Sequence, residues 1–122
     1  MKELCMKTIL ATILLTITFS IPAEAAGLTE ENCRGLHDLS EVIMTARQNG
    51  VPITKILEII DRKVEFEDVT QEYVKIIQKL HTGIALEAYD SPLFHTQKNK
   101  DIAIREFANA QLLGCYSAIS SD

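Results

Sequence analysis

The chain has 122 residues and carries 17 Asp and Glu against 12 Lys and Arg, which gives a formal net charge of −5 at pH 7. A chain of this length holds one modest hydrophobic core, so a second domain is excluded. The acidic balance argues against nucleic acid and anionic membrane surfaces as partners and favours a protein partner.

The first 25 residues have the pattern of a secretory signal peptide. Lys2 and Lys7 precede an apolar run over residues 8–21, and the small-residue triplet Ala23-Glu24-Ala25 then forms a cleavage site. The run is too short for a membrane-spanning helix, which needs about 20 apolar residues. We therefore predict cleavage after Ala25. This leaves residues 26–122 as a single helical domain, periplasmic or secreted, without stable membrane insertion.

Removal of this leader changes the meaning of the cysteines. Cys5 is discarded with it, whereas Cys33 and Cys115 remain in a compartment where thiols are oxidised. Neither lies in a Cys-x-x-Cys motif or beside a histidine that would lower its pKa, which disfavours a redox or nucleophilic role. We predict one structural disulfide between Cys33 and Cys115, worth on the order of 4 kcal/mol in the loop-entropy model.

Two helices are predicted in the first half of the mature chain. Thr29 caps the first helix, and Asn49-Gly50 ends it because glycine tolerates the positive φ found at helix C-termini. Pro52 opens the second helix, where its missing N–H is not needed, and that helix ends near Arg62. Apolar residues recur at helical spacing in both: Cys33, Leu36, Leu39, Ile43 and Ala46, then Ile53, Ile56, Leu57 and Ile60.

Two further helices are predicted in the second half. Lys63–Thr70 is interpreted as a loop, and a third helix fits residues 70–89 before the breaker Asp90-Ser91-Pro92. His95–Lys100 is predicted as a linker, and a final helix fits Asn99–Ile119. The third helix keeps one apolar face of Tyr73, Ile76, Ile77, Leu80, Ile84 and Ala88, with Gly83 as a mild cost inside it.

These elements together predict the fold class. Cys33 lies in the first turn of the first helix, and Cys115 lies near the end of the last. A bridge between them ties the two ends of the domain together. We therefore expect an all-α fold, a small bundle of about four helices closed by one disulfide.

The segment from Cys33 to Asp38 is the one most similar to a catalytic motif. Secreted phospholipases of the A2 type place a catalytic histidine beside a calcium-binding aspartate, four residues after a disulfide cysteine, as His37 and Asp38 stand here. Ser40, however, occupies a position where that family has another cysteine, and too little mature chain precedes the helix for a calcium loop. A solvated helix surface is the preferred interpretation, and a hydrolase that uses His37 and Asp38 is an alternative.

No cofactor or metal is predicted. His37 and Glu41 are four residues apart on one helix face and could share a metal ion, but a usable site needs a third ligand and preferably a fourth. The acidic residues Glu65, Glu67, Asp68 and Glu72 lack the oxygen spacing and turn glycine of a calcium loop. We therefore expect a protein that is not an enzyme and has no catalytic, cofactor-binding or metal-binding residues.

One short polar segment could contact a partner. Arg47, Gln48 and Asn49 stand at the end of the first helix, where a cation near the negative end of the helix dipole is stabilising. The segment fits a helix C-terminus, and it is also our candidate partner surface.

Several short motifs together resemble a known family. They are Cys33, Arg47-Gln48-Asn49-Gly50-Val51-Pro52, Ala88-Tyr89-Asp90-Ser91-Pro92, Phe107 and Cys115. The pattern is similar to a family of small exported proteins of gammaproteobacteria and their phages, over nearly the whole mature chain. That family has no assigned activity, so the resemblance implies a short helical domain with one disulfide and no functional residue.

Three functions are consistent with these observations. The leading hypothesis is a small periplasmic or secreted binding or inhibitory protein that acts on a protein partner in the envelope. The first alternative is a periplasmic acid-stress chaperone, because protonation of its many carboxylates near pH 4 would leave a loosened, cationic bundle. The second alternative is the small phospholipase-like or metal-dependent hydrolase based on His37 and Asp38.

Overall fold

A computed structural model describes residues 28–63 and 70–121. These residues form four helices: α1 (Glu30–Gln48), α2 (Ile53–Lys63), α3 (Gln71–Asp90) and α4 (Gln97–Ser120). Cys33 and Cys115 are joined by a disulfide. The predicted all-α bundle of four helices closed by one disulfide is therefore confirmed. The predicted signal peptide lies outside the described residues, as do positions 64–69 of the predicted loop.

The ends of α1 follow from its sequence. Thr29 and Asn32 form a reciprocal capping box: the Asn32 N–H donates to Thr29 Oγ1 at 3.2 Å, and the Thr29 N–H donates to Asn32 Oδ1 at 2.9 Å. Gly50 has a φ of +76°, as expected of a helix-terminating glycine. The N–H groups of Gly50 and Val51 donate to the carbonyls of Arg47 and Ala46, which satisfies the end of the helix.

The beginning of α4 corrects one prediction. The run His95–Lys100 was predicted to be a linker, but α4 already begins at Gln97. Thr96 caps the helix there, since its Oγ1 accepts the N–H of Asn99 at 3.2 Å. Because Thr96 caps the helix, α4 can begin with a polar turn. It starts at Gln97, two residues before the Asn99 that the apolar spacing predicts.

Helix α1 is the centre of the bundle. It packs against α4 and α3, and α3 also packs against α2. The disulfide joins the first turn of α1 to the last turns of α4, with Cα atoms 5.5 Å apart, so these two helices run in opposite directions. Buried apolar side chains come from all four helices, among them Met44, Ile60, Ile84 and Phe107.

Helices α1 and α3 run in the same direction and are packed unevenly along their length. In the second half of α3, Ile84, Ala85 and Ala88 are buried, and the two alanines allow close packing of α3 against its neighbours. In the first half of α3, residues 71–83, no residue is buried. We call the C-terminal halves of α1 and α3, with residues 91–94, the closed end. We call the N-terminal halves of α1 and α3 the open end.

Candidate functional site

An apolar cleft lies at the open end. It has a volume of about 640 Å³ and is open to solvent. The α3 wall of this cleft is the first, unburied half of the helix together with Ile84, and Leu28 before α1 and Gln111 of α4 complete the lining. Its apolar lining consists of Leu28, Tyr73, Ile76, Ile77, Leu80 and Ile84. The cleft lies between α3 and α4. Each of these helices packs against α1, but the two make few contacts with each other.

A smaller hollow continues the cleft. It has a volume of about 360 Å³ and extends between α1 and α3 to Leu36, Leu39 and His81. The cleft and the hollow share Leu28 and Tyr73, together with Asn32, Ile77 and Leu80. The open end therefore presents one continuous apolar surface, and volumes of several hundred Å³ are typical of binding sites.

Two polar side chains of the cleft, Asn32 and Gln111, already form hydrogen bonds within the molecule. Asn32 uses its side-chain oxygen in the α1 capping box. Gln111 donates from Nε2 to Glu87 Oε2 at 2.9 Å, which bridges α4 and α3. Lys79 is the one cation among the lining residues, and the two anions are Glu87 of the cleft and Glu31 of the hollow. The site therefore combines a mainly apolar lining with a few charged and polar side chains.

His81 contributes a neutral group to the hollow. Burial lowers the pKa of its imidazole below the ordinary histidine value, because desolvation disfavours the charged form. The side chain is therefore uncharged at pH 7. It adds a polar but neutral edge to the hollow and leaves the apolar character of the surface unchanged.

The structure places two residues of the candidate partner surface in a hydrogen-bonded network at the closed end. Gln48 is only 3% exposed; its Nε2 donates to Pro92 O at 3.0 Å, and its Oε1 accepts the N–H of Phe94 at 3.0 Å. Arg47 donates from Nε and Nη2 to Ser91 O at 3.1 and 3.0 Å. Asn49 is exposed. A partner surface here stays a prediction, while Gln48 and Arg47 already hold the turn between α3 and α4.

Tyr89 extends this network to the turn between α1 and α2. Its hydroxyl donates to Val51 O at 2.5 Å, and the Arg47 guanidinium lies 5.3 Å from the centre of its ring. Burial raises the pKa of the Tyr89 phenol, and the positive charge of Arg47 opposes that shift. The phenol is therefore neutral and remains a hydrogen-bond donor at pH 7.

The residues that carry the family resemblance meet at this network. The first motif, residues 47–52, supplies Arg47, Gln48 and the carbonyl of Val51, and the second, residues 88–92, supplies Tyr89 and the carbonyls of Ser91 and Pro92. Two segments about forty residues apart in sequence thus form one contact set. These hydrogen bonds join the turn between α1 and α2 to the end of α3 and the turn that follows it.

The residues of the hydrolase alternative lie on the surface of α1. His37 Nδ1 lies 3.4 Å from Asp38 Oδ1, and the Asp38 side chain is 81% exposed. Glu41 lies nearby, so that one potential ligand atom from each of the three residues falls within 4.8 Å of the others. None of the three lines the cleft or the hollow. Asp38 is thus a third possible metal ligand beside the predicted pair of His37 and Glu41, but exposed groups of this kind are common without a metal.

The cleft is the feature that sequence analysis missed. The periodic face of α3 predicts that Ile76 and Ile77 are buried, whereas Ile76 is 45% exposed. The available signals were the small residues Ala85 and Ala88 in the second half of the helix, and Gly83 on its cleft side. Periodicity identifies an apolar face but does not say whether another helix covers it.

Comparisons with known proteins do not extend this picture. No protein-family model, no curated protein and no solved structure matches the chain. Among the described helices, none is long and apolar enough to cross a membrane.

Proposed function

We propose that the chain is a small exported, non-enzymatic binding protein that holds a segment of a protein partner in the apolar cleft. The observation that carries this proposal is the cleft itself. Five apolar residues of α3 and one before α1 line this cleft, which is open to solvent. Contiguous exposed apolar surfaces with a polar rim are typical of interaction sites.

The shape of the cleft favours a helical segment as its ligand. Its α3 wall extends from Tyr73 to Glu87, about 21 Å at 1.5 Å per residue. That length accommodates about four turns of an amphipathic helix, which would bury its apolar face between α3 and α4. The net charge of −5 would attract a segment with basic residues on its solvent side.

Export is supported by two observations. The first 25 residues have the sequence pattern of a signal peptide, and the disulfide between Cys33 and Cys115 is of a kind that persists in oxidising compartments. We therefore propose the periplasm or the medium as the place of action. An inhibitor or an immunity-like factor would work in the same way, by covering a functional segment of its target.

The test is affinity capture from envelope extract with three forms of the protein. Ile77→Glu places a charge on the floor of the cleft, and Leu113→Glu places the same charge on a 67% exposed side chain of α4 outside it. We expect a partner that wild type and Leu113→Glu retain alike, that Ile77→Glu retains at least about tenfold less, and that salt releases. Equal retention by all three forms, or none by wild type, contradicts the proposal. Circular dichroism checks that all three are folded.

The two alternative functions remain predictions from the sequence. Among the described residues, Glu87 has the only carboxylate that forms a side-chain hydrogen bond to another helix. Acid would therefore break few contacts between helices, and no observation favours the chaperone over the binding protein. His37→Ala separates the hydrolase, since it would abolish such an activity while leaving the helix intact.

A further inference from the structure

The three histidines of the chain lie in three different environments. His37 has a carboxylate partner, since its Nδ1 lies 3.4 Å from Asp38 Oδ1, and His95 is exposed in the turn between α3 and α4. His81 is half-buried and lines the hollow between α1 and α3. Of the three, it is the one whose charge would lie within the apolar surface of the open end.

The surroundings of His81 do not stabilise a positive charge. Its neighbours in the lining of the hollow are mainly apolar, among them Leu28, Leu36, Leu39, Ile77 and Leu80. Among the described residues, ion pairs join His37 to Asp38 and Arg62 to Glu58, and none involves His81. Burial without a counter-charge disfavours the imidazolium, which is why the pKa of His81 lies below the ordinary histidine value.

Few other charges face His81. Glu31 of α1 and Tyr73 of α3 are the other titratable side chains in the lining of the hollow, and Lys79 and Glu87 line the neighbouring cleft. Helices α2 and α4 contribute nothing to the lining of the hollow. The charged side chains described on α2 are all exposed: Lys55, Glu58, Asp61 and Arg62. Because histidine is the side chain that ordinarily titrates between about pH 5 and pH 8, the charge of the hollow in that range depends on His81.

We propose that His81 makes binding at the open end dependent on pH: the neutral imidazole permits an apolar segment to cover the cleft and the hollow, and its protonation releases that segment. This inference rests on the proposed function, since it concerns the regulation of the same surface. A bound segment removes water from the hollow, so the bound state disfavours the imidazolium more strongly than the free protein does.

The direction of the effect follows from linkage. Binding and protonation oppose each other, so the bound segment lowers the pKa of His81 by the factor by which protonation weakens binding. The apparent dissociation constant is constant above the pKa of free His81 and rises below it, by at most about tenfold per pH unit. The partner is therefore held at neutral pH and released in acid.

Binding of Nile red tests this dependence on the disulfide-bonded exported protein. The dye fluoresces on apolar surfaces and is uncharged, so its own charge does not vary with pH. Between about pH 7.5 and about pH 5, we expect its dissociation constant to rise at least about threefold for the wild type. Ile77→Glu should weaken dye binding at both pH values, because Ile77 lines both the cleft and the hollow. Dye binding that Ile77→Glu leaves unchanged overturns the assignment of the effect to this surface.

Two matched variants assign the effect to one side chain. His81→Gln keeps a neutral polar group that does not titrate, so its dissociation constant for the dye should be the same at both pH values. His95→Gln makes the same change on an exposed histidine and should behave as the wild type. A wild type without the rise, or an equal rise in His81→Gln, overturns the proposal. Circular dichroism should show a folded wild type at about pH 5, and unfolding there also overturns it.

Nuclear magnetic resonance of the imidazole gives a second measurement that does not depend on affinity. A threefold rise in the dissociation constant requires saturating Nile red to lower the pKa of His81 by about 0.5 or more. A pKa that the dye leaves unchanged or raises overturns the proposal.

The envelope partner separates this inference from the proposed function. A partner captured at about pH 7.5 should be released at about pH 5 from the wild type and from His95→Gln, but His81→Gln should retain it. If the wild type captures a partner and keeps it at about pH 5, the pH dependence is wrong and the proposed function stands. If no partner is captured while the dye results hold, the proposed function is wrong and the pH-dependent surface stands.

Discussion

The two ends of the pair formed by α1 and α3 differ in how their residues are used. At the closed end, small side chains bring the helices together, and Gln48, Arg47 and Tyr89 bond to backbone carbonyls of neighbouring turns. At the open end, large apolar side chains line a cleft of about 640 Å³ that no described helix fills. One pair of helices thus combines a packed region that specifies the fold with an unpacked region available for binding.

The largest expected effect concerns the disulfide, which fastens α1 to α4 at the open end. Removal of the bridge in Cys33→Ala/Cys115→Ala should lower the free energy of unfolding by about 4 kcal/mol, because the bridge closes a loop of 82 residues. Urea denaturation of the variant, and of the wild type with and without reductant, measures this loss. A loss below about 1 kcal/mol would mean that helix packing alone determines the geometry of the open end.

A matched pair of substitutions compares the two ends directly. Ile43→Ala removes a side chain that is 2% exposed in the C-terminal half of α1, at the closed end, and should cost about 3 kcal/mol of stability. Ile77→Ala makes the same change in the partly exposed cleft lining and should cost less than about 1 kcal/mol. Chemical denaturation of both variants gives the difference. Similar losses would show that the cleft is as well packed as the closed end, and the comparison would fail.

A second pair sharpens the assignment of the closed end. Gln48→Ala leaves the carbonyl of Pro92 and the N–H of Phe94 without their partner and should cost about 2 kcal/mol. Asn49→Ala changes the neighbouring exposed side chain and should stay within about 0.5 kcal/mol. Thermal unfolding followed by circular dichroism distinguishes them. An equal effect of the two substitutions would indicate that Gln48 is available to a partner, as predicted from the sequence, and does not hold the turn after α3.

Local signals explain what the sequence predicted correctly. Thr29 and Gly50 act through bonds to residues within a few positions, so the ends of α1 could be read directly. With Cys5 assigned to a predicted leader, Cys33 and Cys115 allowed one pairing only, and the structure contains it. The start of α4 was missed by two residues because the cap Thr96 precedes a polar turn that lacks apolar spacing.

The features that the sequence did not predict depend on contacts between segments that are distant in the chain. Gln48 bonds to Pro92 and Phe94, which lie more than forty residues away, and nothing in its own neighbourhood distinguishes it from a surface glutamine. The cleft depends on the absence of close packing between α3 and α4. An apolar periodicity is the same for a covered and an uncovered helix face, so the candidate site required the structure.

Fixation of α1 at both tips has a mechanical consequence. The sulfur bridge anchors α1 to α4 at one tip, and the side chains of Arg47 and Gln48 anchor it to the turn after α3 at the other. Among the described residues, the first half of α3 has neither anchor. A ligand that needs a wider cleft would therefore displace the first half of α3 more easily than α1 or α4.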